Sequence, residues 1–346
     1  MLLIAILTFS AAVAAVIVLN AERFVVTDCR YNYTLDDSGI LRRDDNVSFI
    51  GEQCMTETVL ATSTAVHNVC DPLGVDVVVV KSLWGQTYFH FILNELQRWF
   101  RAERLSHDWQ WNASFVFTSW WAYDNHRQSE WFALAGITIA HYALPPRIRN
   151  VLIAPGSFSC SEIHDTHLVR IYRERALQFY QLSDAVVSST TRVVLFHRVG
   201  RRAIGDDETS RIVALLHEFW PTIFGEAMLD VVLHRAHQSL SETFAMLNYK
   251  PRLLMIGPHG AGFANMLLAP SRSMVLEIHP SLYSTTRSHL FQPCFMDLAS
   301  ACGHYYAMAI ARNGYGFSEE NMTLSDAAFQ AALHTLRVQM KLPSPV

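Results

Sequence analysis

The chain has 346 residues, 51 % of them hydrophobic and 17 % charged, with a formal net charge of −4. That composition excludes a disordered or low-complexity protein and supplies apolar side chains for about two domains. There is no basic stripe and no internal repeat, so nothing here calls for a nucleic-acid partner or a solenoid.

Leu2 to Leu19 is apolar apart from Thr8 and Ser10, and the first charge is Glu22. As a helix, such a run spans about 27 Å, close to the thickness of an ER bilayer. Residues 1–20 are therefore expected to be a signal peptide or an uncleaved signal-anchor helix. Acceptor sequons at Asn32, Asn46, Asn112 and Asn321 place the rest of the chain in the secretory lumen. The cysteines (Cys29, Cys54, Cys70, Cys160, Cys294, Cys302) contain no C-x-x-C pair, which favours disulfides over a zinc site. The expected location is the Golgi or ER membrane, single-pass type II, with the functional region lumenal.

Residues 21–70 are polar and read as a stem with an amino-terminal extension. Residues 71–188 read as a first α/β domain. Val75 to Val80 is a β-branched run typical of a strand buried on both faces. A loop follows through His90, and Phe91 to Arg104 has helical periodicity. Further strands are expected at Ser114–Thr118, near Gly136–Ala140 and at Val151–Ala154, then a charged helix over Ile163–Leu182 and a linker, Ser183–Thr190.

Residues 189–346 read as a second α/β domain. Its strands are Arg192–Arg198, Leu229–Leu233, Leu253–Gly257 and Met274–Ile278. Helices are expected over Asp206–Phe219, Ser241–Leu247 and the opening at Ala264–Ala269. Cys294–Met308 reads as helix then strand, and Ser325–Met340 as a closing amphipathic helix. Alternating strands and helices in two halves describe an α/β fold of two Rossmann-like domains.

The densest signal is Gly257-Pro258-His259-Gly260-Ala261-Gly262-Phe263-Ala264-Asn265, a glycine-rich turn between a buried strand and a helix. Glycines let a ligand approach the main chain, and a helix N-terminus offers N–H groups to a diphosphate. The spacing G-x-x-G-x-G is not the dinucleotide fingerprint. By spacing alone, a tight turn with a structural histidine stays an open alternative. Arg198 and Arg202 flank the loop after another strand, a place from which to grip phosphate, although an exposed basic loop has the same composition; Arg201 is a weaker candidate.

The string GPHGAGFANMLLAPSRSMVLEI resembles the signature block of glycosyltransferase family 61, and VVLFHRVGRRAIGDDE resembles that family's second block. YFHFILNE is similar to the first block and PCFMDLASACGHYY to the last, so the resemblance spans about residues 80 to 310. It implies a GT-B arrangement and an inverting transferase. Such an enzyme moves xylose or GlcNAc from a UDP-sugar to a hydroxyl of a glycoprotein or glycan.

In this resemblance Arg198, Arg202, His259, Gly260, Gly262 and Asn265 bind the donor. His259 meets the diphosphate, Gly260 and Gly262 permit close backbone approach, and Asn265 pins the helix start. Glu277, at a strand end, is placed to bind a ribose hydroxyl, or is simply a salt-bridged glutamate. Three departures stand out. Asn94 and Asp206 occupy positions where the family has an acid and Asn, and Asp207 stands where Glu is usual. Either Asp or Asn caps a helix, so the change at 206 is expected to be neutral.

His90 is the first candidate for the base on the acceptor side and Glu95 the second; a structural role for His90 remains open. The chain contains no D-x-D, so donor binding is expected to be independent of metal, with no cofactor beyond the UDP-sugar co-substrate. Glu162, His164, Asp165 and His167 have a metal-like spacing on a helix but read as a solvated face. An α/β-hydrolase is excluded, because Gly156-Ser157-Phe158-Ser159-Cys160 breaks the nucleophile elbow at its last position. The alternative to an enzyme is an inactive relative that binds glycans or partner proteins.

Overall fold

The computed structural model describes residues 72–80, 88–108, 115–118, 125–138, 140–153, 166–180, 190–198, 203–225, 229–235, 238–249, 252–280, 294–313 and 321–342, and before them the backbone of several short strands. The fold is mixed α/β with parallel sheets, and the chain divides into two compact units, residues 1–158 and 159–346.

In the first unit the strands are β1 (Ile17–Val18), β2 (Phe24–Val26), β3 (Tyr33–Asp36), β4 (Leu41–Arg43), β5 (Ser48–Ile50), β6 (Gln53–Met55), β7 (Val66–Asn68), β8 (Val75–Val79), β9 (Phe115–Phe117), β10 (Ala140–His141) and β11 (Ile148–Ile153). One sheet runs β6-β5-β4-β3-β7 and is antiparallel throughout. The other runs β1-β2-β11-β8-β9-β10, with β11, β8, β9 and β10 parallel and the β1–β2 ribbon antiparallel at its edge.

β8 matches its sequence signature: Val77, Val78 and Val79 are buried. Its one polar residue, Asp76, accepts from Arg149 Nη2 at 2.7 Å and from Asn150 Nδ2 at 2.8 Å, which satisfies a buried carboxylate. After β8 come α1 (Tyr88–His90), a π-helical turn at Phe91–Glu95, α2 (Leu96–Asp108) and, beyond β9, α3 (Asn125–Ala135). Trp99 on α2 donates from Nε1 to the carbonyl of Ala135 on α3 at 3.0 Å.

The amino-terminal expectation needs correction at two positions. Ile17 and Val18 lie in a strand paired with Phe24–Val26, not in a helix. Their β-branched side chains favour the extended backbone. The remainder of residues 1–20 lies outside the described residues. Among the described residues no helix is long and apolar enough to cross a membrane.

The second unit comprises α4 (Thr166–Tyr180), β12 (Thr191–Phe196), α5 (Asp206–Phe224), β13 (Leu229–His234), α6 (Leu240–Asn248), β14 (Leu253–Pro258), a 3-10 helix (Ala261–Leu268), β15 (Met274–His279), α7 (Cys294–Ala301), β16 (Tyr305–Ile310) and α8 (Asp326–Gln339). Its sheet is wholly parallel in the order β13-β12-β14-β15-β16. Every residue of β14 and β15 is buried, as strands covered on both faces must be. On one face Leu195, Ile256, Leu276 and Ile278 pack with Trp220 of α5 and Phe329 and Leu333 of α8. The division between units falls ahead of the expected 188/189 boundary, and α4 packs on the 3-10 helix of the second unit.

Two helix ends differ from expectation. The residue that caps α5 is Gly205, without a side-chain bond, so Asp206 begins the helix and does not cap it. The segment after the glycine turn is a 3-10 helix and not an α-helix. Runs of that type are seldom longer than three or four residues. Here side chains from three other elements take its last carbonyls. Arg173 of α4 donates to Leu268 O at 2.8 Å and to Ala269 O, Asn248 of α6 donates to Leu268 O at 2.9 Å, and His304, just before β16, meets Met266 O at 3.0 Å.

Candidate functional site

In an open parallel sheet, ligands bind beyond the carboxyl ends of the strands where the chain changes direction of winding. In the second unit the connection from β12 runs outward to β13, and the chain then returns past β12 to β14. The switch point therefore lies between the ends of β12 and β14. The residues delivered there are Arg198 from β12 and the His259–Gly262 turn from β14, the two segments singled out in the sequence.

They are in contact. Arg198 Nη1 donates to the carbonyl of His259 at 2.9 Å. A Cβ at Gly260 would lie 1.9 Å from that same nitrogen. Gly260 thus makes room for the arginine. At Gly262 a Cβ would meet the Phe196 ring at 3.5 Å, an ordinary contact. Gly257 is the tighter position: a Cβ there would stand 2.8 Å from Cβ of Phe196. Asn265, expected to pin the helix start, lies in the middle of the 3-10 helix and is buried. Arg202 and Arg201 lie outside the described residues.

The anion-binding capacity of this edge is uneven. α5 would offer the usual N-terminal phosphate seat, but Asp206, Asp207 and Glu208 fill its first turn. Those carboxylates occupy the positive end of the helix and repel an anion. Arg211 neutralises Glu208 through two bonds, at 2.8 and 2.7 Å, while the Asp206 side chain is 98 % exposed. The other seat, the start of the 3-10 helix, carries no acid in its first turn and has Arg198 beside it. An anion is therefore favoured at the β14 side of the crevice.

Beneath that seat is a buried polar chain. His259 Nδ1 bonds Glu277 Oε1, and the Tyr306 hydroxyl donates to Glu277 Oε2. Glu277 is fully buried and His259 is 5 % exposed. Burial, and then the charge of Glu277, push the Tyr306 phenol far above its ordinary value, so it stays a hydroxyl donor. The expected ribose role of Glu277 fails on this geometry: a completely buried carboxylate with both oxygens engaged is a brace and cannot reach a ligand. His279 completes the cluster. Its ring centroid is 4.9 Å from that of His259, and its Nδ1 lies 2.9 Å from Pro280 O.

His259, Glu277 and His279 have ligand atoms within 4.8 Å of one another. Within this trio His259 and Glu277 are joined by a hydrogen bond.

In the first unit, His90 Nδ1 lies 2.8 Å from Asn94 Oδ1. Burial lowers the His90 pKa from the ordinary histidine value, against a smaller upward pull from Asn94, so its neutral form prevails near pH 7. Glu95 is fully buried and accepts from Thr118 Oγ1 at 2.7 Å. A general base must reach the proton it removes. Glu95 is therefore a structural acid, and His90 is the candidate left. Glu95 closes the π-helical turn and His90 is its N-cap residue; such distortions are found often at functional sites. Of the Glu162–His167 stretch, the side chains lie outside the described residues.

Tyr306 and His279 were missed in the sequence. His279 had a readable signal, since it follows Glu277 by two on a strand and so shares its face. Tyr306 had none, because its place beside Glu277 depends on the pairing of β15 with β16. Of the cysteines, Cys294 is disulfide-bonded and Cys302 is a free thiol. No protein-family model matches the chain, and no curated protein matches it.

Proposed function

We propose that the chain is an inverting glycosyltransferase of the GT-B plan, which moves xylose or GlcNAc from a UDP-sugar to a hydroxyl of a glycan or glycoprotein. The observation that carries this is the meeting of Arg198 with the His259–Gly262 turn at the switch point of a parallel sheet. The sequence resemblance supplies the reaction class, and the switch-point geometry supports a diphosphate ligand.

In the reaction the acceptor oxygen attacks the anomeric carbon from the side opposite the diphosphate. The bond from that carbon to the diphosphate oxygen breaks, and its electron pair leaves with UDP. Arg198 and His259 are placed to offset the negative charge that grows there, an electrostatic role fixed before reaction. A neutral His90 takes the acceptor proton. Asn94 orients its ring but brings no negative charge, unlike the acid usual at that position. The disulfide at Cys294 supports a lumenal setting, because disulfides persist in oxidising compartments. The amino-terminal apolar run supports attachment to the ER or Golgi membrane.

Calorimetric titration of the full chain with UDP, UDP-GlcNAc and UDP-xylose, each with and without EDTA, tests the proposal. Binding should be unaffected by EDTA and should weaken at least tenfold in Arg198→Ala and in His259→Ala, the scale of one lost charge-assisted contact (about 1.5–3 kcal/mol). His90→Ala should bind UDP normally and transfer no sugar. Failure of all three ligands to bind would end the proposal; binding by a wild-type chain that transfers nothing would leave the inactive, glycan-binding relative.

A further inference from the structure

Glu277 is a buried carboxylate with two partners, His259 through Oε1 and Tyr306 through Oε2. We infer that Tyr306 and Glu277 are positioning residues that hold His259 as its Nδ1–H tautomer and leave Nε2 to meet the ligand. Use of Nε2 on a diphosphate rests on the function proposed above; the tautomer itself does not.

Strand register puts the three residues together. Val275 pairs with Tyr306 and Glu277 with Met308, so Tyr306 and Glu277 are diagonal neighbours on one face of the sheet. Gly257 pairs with Glu277 on the other side, and the space its missing side chain leaves is taken by Phe196. His259 is two residues beyond Gly257 and so returns to the same face. Its backbone is fixed there by an N–H bond to Ile278 O at 2.8 Å. The ring is packed between His279 and Phe295, whose centroids are 4.9 and 5.1 Å away.

Proton inventory then decides the tautomer. An ionised carboxylate only accepts, and the Tyr306 hydroxyl gives its single proton to Oε2. The bond at Oε1 must therefore be donated by His259 Nδ1. In the neutral ring Nε2 carries the lone pair; in the charged ring it carries a second N–H, the form that donates to an anionic oxygen. A ring nitrogen bonded to a carboxylate fixes what the other nitrogen presents. Neither positioning residue touches the ligand.

The test is a long-range proton–nitrogen NMR spectrum of the full chain labelled with 15N-histidine, with His259→Gln to identify the signal. His259 should show the Nδ1–H pattern. Glu277→Gln, whose amide can donate as well as accept, should convert it to a mixture or to Nε2–H, and should weaken UDP binding at least tenfold. Tyr306→Phe should keep the tautomer but move the Nδ1 proton resonance, because Oε2 loses its donor. An Nε2–H tautomer in the wild type, or a His259 signal unchanged by Tyr306→Phe, overturns the inference. Tyr306 is only partly buried, so Tyr306→Phe remains informative if Glu277→Gln does not fold. The Nδ1–H tautomer in a chain that does not bind UDP would uphold the positioning role and refute the proposed function.

Discussion

At Gly260 the missing side chain makes room for a residue far away in the sequence. The place of this glycine in a glycine-rich turn was legible, but its physical reason was not. The space its missing Cβ leaves is taken by the Arg198 guanidinium, a residue 62 positions earlier that no local pattern connects to it. The atom in the way is the end of a flexible side chain, so Gly260→Ala should leave the melting temperature nearly unchanged. It should displace Arg198 from the His259 carbonyl and weaken UDP binding about as much as Arg198→Ala does. A large loss of melting temperature with unchanged UDP affinity would show the glycine to be structural. Glu277 and Glu95 make the complementary point. Sequence marks an acid near a site, but only the fold tells a brace from a ligand contact, because burial and partners decide which it is.

Among elements, the 3-10 helix was the least legible. Its apolar run looks like the opening of an α-helix, and nothing local announces that Arg173, Asn248 and His304 will satisfy its carbonyls from α4, α6 and the turn before β16. The strands were far easier, because continuous apolar runs carry their own signature; β8, β12, β13, β14 and β15 lie where the pattern puts them. His304 gives the helix a pH dependence. Burial lowers its pKa from 6.5 to about 4, partly offset by its bond to Met266. The unfolded chain thus binds more protons between those two values, and stability falls as pH drops from 6.5 towards 4. At about 1.4 kcal/mol per pKa unit, the loss amounts to about 3 kcal/mol. Melting curves from pH 7 to pH 4.5 should fall more steeply for the wild type than for His304→Gln, which keeps an N–H donor for Met266. Parallel curves would remove His304 from the acid response.

For the molecule as a whole, alternation of strands and helices was enough to give two α/β units, but not the order of strands in either sheet. Strand order fixes the switch point, and it reflects which helix covers which face, a long-range property that local periodicity does not carry. The antiparallel sheet of β3 to β7 was missed for a different reason: its strands have three or four residues, too short for an alternation to register. The one-sided tethering of the 3-10 helix also has a consequence for how exchange with solvent is spread over the second unit. Amides of β14 and β15 should exchange slowest, since both strands are central and covered. The helix should divide within itself, with slow exchange after Met266, where other elements clamp it, and fast exchange at Ala261 and Gly262, whose N–H groups have no intrahelical acceptor. A bound diphosphate should slow exchange at that open end alone. Deuterium uptake measured with and without UDP would reveal this as a change confined to a few residues, in a protein whose remaining amides do not register the ligand.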